Sequence, residues 1–224
     1  MYEKKRKFHK NLREWSKKNL KNYPWRNNPT EYEVLVSEIL LQQTNSKKIK
    51  QVYPIFIKKY SSIQELSKAD ENELNRIIEK IGLMYKSKRL INISNKIVDR
   101  FDGNIPSIKE KLIGLKGIGQ YISNAILCFG YNKRVPIVDT NIIRIYRRIF
   151  DVKSNKNRPR TDEKIWKFAE KMLPENNYRD FNYALLDFGN KICKANNPKC
   201  NRCPMTDICY YYGSVVGKNE SEIN

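Results

Sequence analysis

Residues 112–146 read LIGLKGIGQYISNAILCFGYNKRVPIVDTNIIRIY. They hold an apolar helix end, the hairpin Leu115, Lys116, Gly117, Ile118 and Gly119, a second apolar helix, and a single aspartate, Asp139, inside an otherwise apolar run. Gly117 and Gly119 can take backbone angles closed to other residues, so a tight turn there aims successive main-chain N–H groups outward, at the start of a helix beginning near Gln120. Such a nest binds a phosphate. The plainer reading of these five residues by themselves is a turn between two packed helices. The order of hairpin, helix and aspartate suggests the other reading, a grip on DNA followed by a catalytic acid.

The rest of the composition bears on that choice. Against 24 Asp and Glu stand 44 Lys and Arg, a net charge of +20 that sets up a field attracting polyanions, nucleic acid first among them. No apolar run has membrane-spanning length and no apolar signal segment comes after the charged start MYEKKRKFHK, so a cytoplasmic, nucleoid-associated protein is expected, with no membrane partner. At 224 residues the chain is long enough to bury roughly 70% of its unfolded surface. It needs no disulfide staple, and one domain or two are both possible.

Residues 1–22 carry nine Lys or Arg against two Glu, with Phe8, Leu12, Trp15 and Leu20 near helical spacing, a basic amphipathic helix. His9, the only histidine, reads as a surface residue. Thr30 and Glu33 have capping-box spacing ahead of Val34, Leu35, Ile39 and Leu40, which share one face of a helix ending at Leu41. Glu38 sits among those apolar residues; a carboxylate at the edge of such a face is usually solvated or paired, but one turned into a cleft has a raised pKa and can donate a proton. Further capping boxes pair Ser62 with Glu65 and Ser107 with Glu110, helix-period apolar sets recur through residues 49–101, and no alternating strand is visible. The fold class is therefore all-α. Residues 151–162, with Lys153, Lys156, Arg158 and Arg160, read as a mobile basic loop or as a solvated linker, before a helix from Asp162 to Leu173 resumes the core.

Cys193, Cys200, Cys203 and Cys209 have the pattern C-x6-C-x2-C-x5-C, four thiols within seventeen residues. Chemistry leaves both a structural zinc and an iron–sulfur cluster open, because four thiolates satisfy either. Lys194, Lys199 and Arg202 lie in and beside these loops, placed to meet a phosphate backbone, while Cys128 reads as an inert buried thiol.

Together the hairpin, an aspartate twenty residues beyond Gly119, and the four terminal cysteines resemble the helix-hairpin-helix DNA glycosylases of the endonuclease III superfamily. Residues 24–26, 37–41 and 186–188 and Tyr121 look most like the archaeal thymine-DNA mismatch glycosylases, and next most like the adenine-specific ones. The resemblance implies two helical domains with DNA across the cleft between them. One is a six-helix barrel over residues 26–136, with the helix-hairpin-helix at about 107–130. The other, from residues 1–25 and 137–224, carries a [4Fe–4S] cluster on Cys193, Cys200, Cys203 and Cys209. It further implies a monomer acting on double-stranded DNA with a mismatched or damaged base. Asp139 would stabilise the transition state, Tyr121 shape the pocket, and Glu38 help the base depart. Leu115 to Gly119 would grip DNA, Gln43 fill the gap left by the flipped nucleotide, and Leu83 or Tyr85 wedge from the other side. In this family a lysine two places past the last hairpin glycine makes the enzyme a lyase. Tyr121 stands there, which implies a monofunctional glycosylase. Gln42, Gln43 and Thr44 match the adenine branch and Tyr121 the thymine branch, and the chain ends at Asn224 without the adenine enzymes' further domain, which favours thymine or uracil opposite guanine. The other readings are an adenine glycosylase and a DNA-binding protein without chemistry.

Overall fold

The computed structural model describes residues 1–216, so the last residues of the expected cluster domain, 217–224, lie outside the described residues. Among the described residues every regular element is helical. The chain divides into two compact units, one formed by Met1–Lys21 with Arg134–Asn224 and the other by Asn22–Lys133.

In the unit built from both chain ends, helix α1 (Tyr2–Lys17) buries Phe8 and Leu12, and its lysines and arginines line the other side. Burying each such side chain contributes about 1.5–3 kcal/mol. Phe8 meets Phe150 and Phe181 edge-on, with ring centroids 5.2 and 6.3 Å apart. His9 is half-buried, not a surface residue: its Nε2–H donates to the Met172 carbonyl over 2.7 Å, its ring packs edge-on against Phe181, and burial lowers its pKa. Its position three residues before buried Leu12, at the edge of the same helical face, accounts for the difference.

The middle unit is centred on α2 (Glu31–Leu41). Thr30 and Glu33 close the expected capping box, but burial is not confined to one face: Tyr32 and every residue from Val34 to Leu40 are buried. A helix buried all round is the core of its unit. Around it lie α3 (Ser46–Lys59), α4 (Ile63–Ser67), α5 (Glu71–Ile78) and α6 (Tyr85–Phe101), then α7 (Lys109–Ile113) and α8 (Gln120–Ala125), which runs on into a π-helical turn, Ile126–Gly130, holding buried Cys128. Ser62 caps α4 as expected. Ser107 does not cap α7: the helix starts one residue later than that spacing requires, its N-cap is Ile108, and no side chain caps it.

The chain then returns to the first unit. Residues 134–138 run without regular structure into α9 (Thr140–Phe150), and α10 (Glu163–Met172) and α11 (Tyr178–Lys191) come after it. α9 packs on α11, where a Cβ on Gly189 would stand 2.6 Å from the Asn141 Cβ, so only glycine allows this approach. Residues 151–162 are tied down more than a mobile loop would be. Asp162 accepts from Ser154 Oγ at 2.6 Å and from the Lys164 amide at 3.0 Å, and Trp166 Nε1 donates to the Arg160 carbonyl at 2.8 Å.

Candidate catalytic residues and nucleic-acid interface

Asp139 is the N-cap of α9, a role the lone acid in an apolar run did not announce. One carboxylate oxygen accepts from the Ile142 amide at 2.8 Å and the other from Asn141 Nδ2 at 2.7 Å, so both oxygens are oriented. The group is half-buried, and desolvation raises its pKa above the ordinary carboxylate value against the lowering effect of those two bonds and of Arg144. The segment leading to it is stitched by buried Asn182, whose Nδ2 donates to the Val135 carbonyl at 3.1 Å and whose Oδ1 accepts from the Ile137 amide at 3.4 Å. Beyond it the bonds continue: Arg144 Nη2 donates to Asn141 Oδ1 and Arg144 Nε to the Cys193 carbonyl, each over 2.7 Å. Sequence reading missed Asn141, Arg144 and Asn182. The only signal for them was their register on α9 and α11.

The four cysteines occupy the loop after α11. Burial raises the pKa of Cys200 and Cys209 and pushes Cys203 up to about 12, and each of the three also feels the charge of the neighbouring thiols, so the four share one electrostatic environment. Among the described residues no three Cys, His, Asp or Glu side chains are disposed to hold a single metal ion. Buried Arg148 clasps the loop: Nη1 reaches the Lys194 carbonyl at 2.6 Å and Cys193 Sγ at 3.6 Å, Nη2 the Ala195 carbonyl at 3.0 Å, and its own carbonyl accepts from Cys209 Sγ at 3.4 Å. Its guanidinium lies 4.9 Å from the centre of the Tyr211 ring. Lys199 and Arg202 are exposed on the same loop.

In the middle unit, the hairpin uses its glycines unequally. Gly117 has φ +107°, which only glycine adopts readily, but Gly119 is extended, with φ −98° and ψ −179°. A Cβ at Gly119 would meet nothing within 4 Å, so its own chain does not demand glycine there. Leu115 and Ile118 are buried, and what they offer a ligand is main chain; Lys116 is exposed. Tyr121 is half-buried in the first turn of α8, and Glu38 is buried within α2, the helix against which α8 packs.

A second turn in this unit connects α2 to α3. The Thr44 amide donates to the Leu41 carbonyl at 3.2 Å, Gln42 has φ −60° and ψ 124°, and Gln43 has φ +54°, the pattern of a type II turn. Glycine or asparagine is usual where Gln43 stands, and a left-handed conformation there costs on the order of 1 kcal/mol. The Gln43 side chain is exposed. Two cations of α6, which sequence reading did not single out, support this turn. Lys86 is wholly buried, and its ammonium donates over 2.6 Å to the Leu40 carbonyl, the Gln42 carbonyl and Thr44 Oγ1, using all three protons. Burial, reinforced by Arg89, brings its pKa down to about 8. Arg89 donates to Gln42 Oε1 at 2.6 Å and to the Gly117 carbonyl at 2.5 Å. At the start of α6, Tyr85 is 51% exposed and Met84, which was not picked out from the sequence, 42%, whereas Leu83 is half-buried; the first two are the apolar groups best placed to meet solvent or a ligand.

Residues 36–171 match the family model for HhH-GPD superfamily base excision DNA repair proteins. A thymine-DNA glycosylase of Aeropyrum pernix is 38% identical over 197 residues, spanning 87% of this chain and 88% of that protein. A thymine/uracil-DNA glycosylase of Pyrobaculum aerophilum is 35% identical, spanning 86% and 85%. Among solved structures, a thermostable thymine-DNA glycosylase is similar with a TM-score of 0.89 at 29% identity, over 95% of this chain and 98% of that one.

Proposed function

Since the chain belongs to the HhH-GPD superfamily of base excision DNA repair proteins, we propose that it is a monofunctional DNA glycosylase removing thymine or uracil opposite guanine from duplex DNA. The observation that carries the reading is the Asp139 carboxylate, fixed at both oxygens and held above its ordinary pKa. A partly desolvated, oriented negative charge does little for folding and much for a developing positive charge.

The target nucleotide leaves the stack before chemistry. As the N-glycosidic bond breaks, its electron pair goes to the base, and Glu38 supports that departure by hydrogen bonding or protonation. Positive charge gathers on the sugar, Asp139 stabilises it, and water adds to C1′ with its proton passing to Asp139. A base and an abasic site result. The hairpin main chain and Lys116 would hold a phosphate, for which the open space at Gly119 leaves room. The deciding experiment incubates purified protein with G·T, G·U and A·8-oxoG duplexes and measures abasic sites. Product on the first two supports the reading, product on the third alone transfers it to adenine, and none on any leaves a DNA-binding protein.

Tyr121 determines whether the strand is cut once the base has gone. A phenol is a poor Schiff-base former, so borohydride is expected to trap no protein on DNA, and product strands should stay intact until alkali is added. Efficient trapping would assign the attack on the sugar to a lysine, Lys116 first, and end the monofunctional assignment.

The cofactor proposed for Cys193, Cys200, Cys203 and Cys209 is a [4Fe–4S] cluster. The chemistry of the donor set supports it: four thiols lie within one loop, and burial makes deprotonation of Cys200, Cys203 and Cys209 costly without a positive partner. When bound, the cluster would supply iron–thiolate bonds that close the loop, while Arg148 holds the loop's main chain and Lys199 and Arg202 face outward toward phosphate. The purified protein is expected to be yellow-brown, and Cys200→Ser to lose that visible absorbance. Active, colourless protein with stoichiometric zinc would refute this.

A further inference from the structure

We propose that Lys86, assisted by Arg89, is a positioning residue for base extrusion, holding Gln43 in its left-handed turn and linking that turn to the DNA-gripping hairpin. The inference rests on the reading of Gln43 as the side chain that fills the vacated stack.

Three observations carry it. First, the position after Gln42 in this turn suits glycine, yet a glutamine stands there with its side chain exposed, which is sensible only if the side chain has work outside the fold. Second, the Lys86 ammonium grips the residue before Gln43 through its carbonyl and the residue after it through Thr44 Oγ1, so both neighbours of the strained residue are fixed by one group. Its bond to the Leu40 carbonyl caps the end of α2, a structural task, but a helix cap does not need to span the next turn as well. Third, Arg89, one turn along the same helix, joins Gln42 Oε1 to the Gly117 carbonyl, connecting the turn with the one hairpin residue whose conformation demands glycine. Each of these bonds from the two cations ends on a neutral oxygen. An apolar side chain of similar length would fill the Lys86 site with less desolvation, but it would leave the turn unheld.

The test uses Lys86→Met, which keeps length and removes the donors, with Gln42→Leu, which deletes the Arg89 bond to Oε1, and Thr44→Val, which deletes the Lys86 bond to Oγ1 together with the Oγ1–H bond to the Gln42 carbonyl; both leave the Lys86 bonds to main-chain oxygens in place. Single-turnover excision from a G·U duplex is measured together with fluorescence of a 2-aminopurine beside the target, which reports extrusion. Lys86→Met is expected to slow both by ~10–100-fold, the scale for a misplaced positioning group, while binding to a fully paired duplex is nearly unchanged. Gln42→Leu and Thr44→Val should show smaller losses of the same kind, and they decide the matter if Lys86→Met does not fold. In a Gln43→Ala background, Lys86→Met should add no further loss, because both act on one step. Losses that multiply, or a folded Lys86→Met with wild-type extrusion, would overturn the proposal. So would Gln43→Ala with wild-type extrusion, which would remove the gap-filling role itself. Hydrogen exchange at the Thr44 amide separates the brace from the enzyme assignment. It should quicken in Lys86→Met whether or not the wild type excises any base, and unchanged exchange would mean that Lys86 does not hold the turn.

Discussion

Asp139→Asn is expected to abolish excision, by at least ~100-fold in single-turnover rate, while duplex binding persists, since the change removes the negative charge proposed to face the sugar and keeps the side chain's shape. The N-cap survives, because an asparagine Oδ1 accepts the Ile142 amide as the aspartate does. The folded pKa of Asp139 is raised above its unfolded value of about 3.9. Its contribution to stability is therefore present below that unfolded value and is lost as pH rises through the folded one. Above its folded pKa the wild type bears a charge that folding disfavours, and the neutral amide does not. In that range the variant should unfold at a midpoint no lower than wild type, and any advantage should vanish in acid. Some of the gain is offset at Asn141, whose amide now faces a second amide and must turn away from Arg144 to accept a bond. The same raised pKa sets the wild-type rate profile: excision should fail on acidification at a higher pH than an ordinary carboxylate would give. A folded Asp139→Asn protein that excises at the wild-type rate would remove Asp139 from the mechanism.

Duplex affinity should fall steeply with salt. The net charge of +20 includes exposed Lys47, Lys48 and Lys50 directly after the Gln43 turn and Lys116 in the hairpin. If about six phosphates are neutralised, counterion release predicts a loss of roughly 10³-fold between 50 and 200 mM salt. Fluorescence anisotropy on a labelled duplex measures this slope. Lys116→Ala should make it shallower by about one unit, and binding indifferent to salt would take nucleic acid off the list of partners.

How much of the fold was legible in the sequence depends on how far apart in the chain the interacting groups lie. The Thr30 capping box, the end of α2 at Leu41 and the start of α10 after Asp162 were readable because each is settled by atoms within a few residues. The Ser107 cap failed at the same range, because the helix began one residue off the spacing, and the expected single apolar face of α2 failed because periodicity shows which residues are apolar and not how many neighbours will surround them.

The sequence by itself determined the all-helical class, the hairpin, the four-cysteine loop, the aspartate after the second helix and the tyrosine in place of a lysine. These are identities and spacings, and no folding is needed to read them. Only the tertiary structure decided what holds them in place. Lys86 meets Leu40, Gln42 and Thr44 across 46, 44 and 42 residues, and Arg144 reaches Cys193 across 49. In sequence, Lys86 is one basic residue among 44 Lys and Arg. Nothing local distinguishes a lysine that will be solvated from one that will be buried under a turn, because its partners are mostly main-chain oxygens, which every residue carries. The packing of α6 against α2 brings those oxygens to the ammonium and gives that lysine its place.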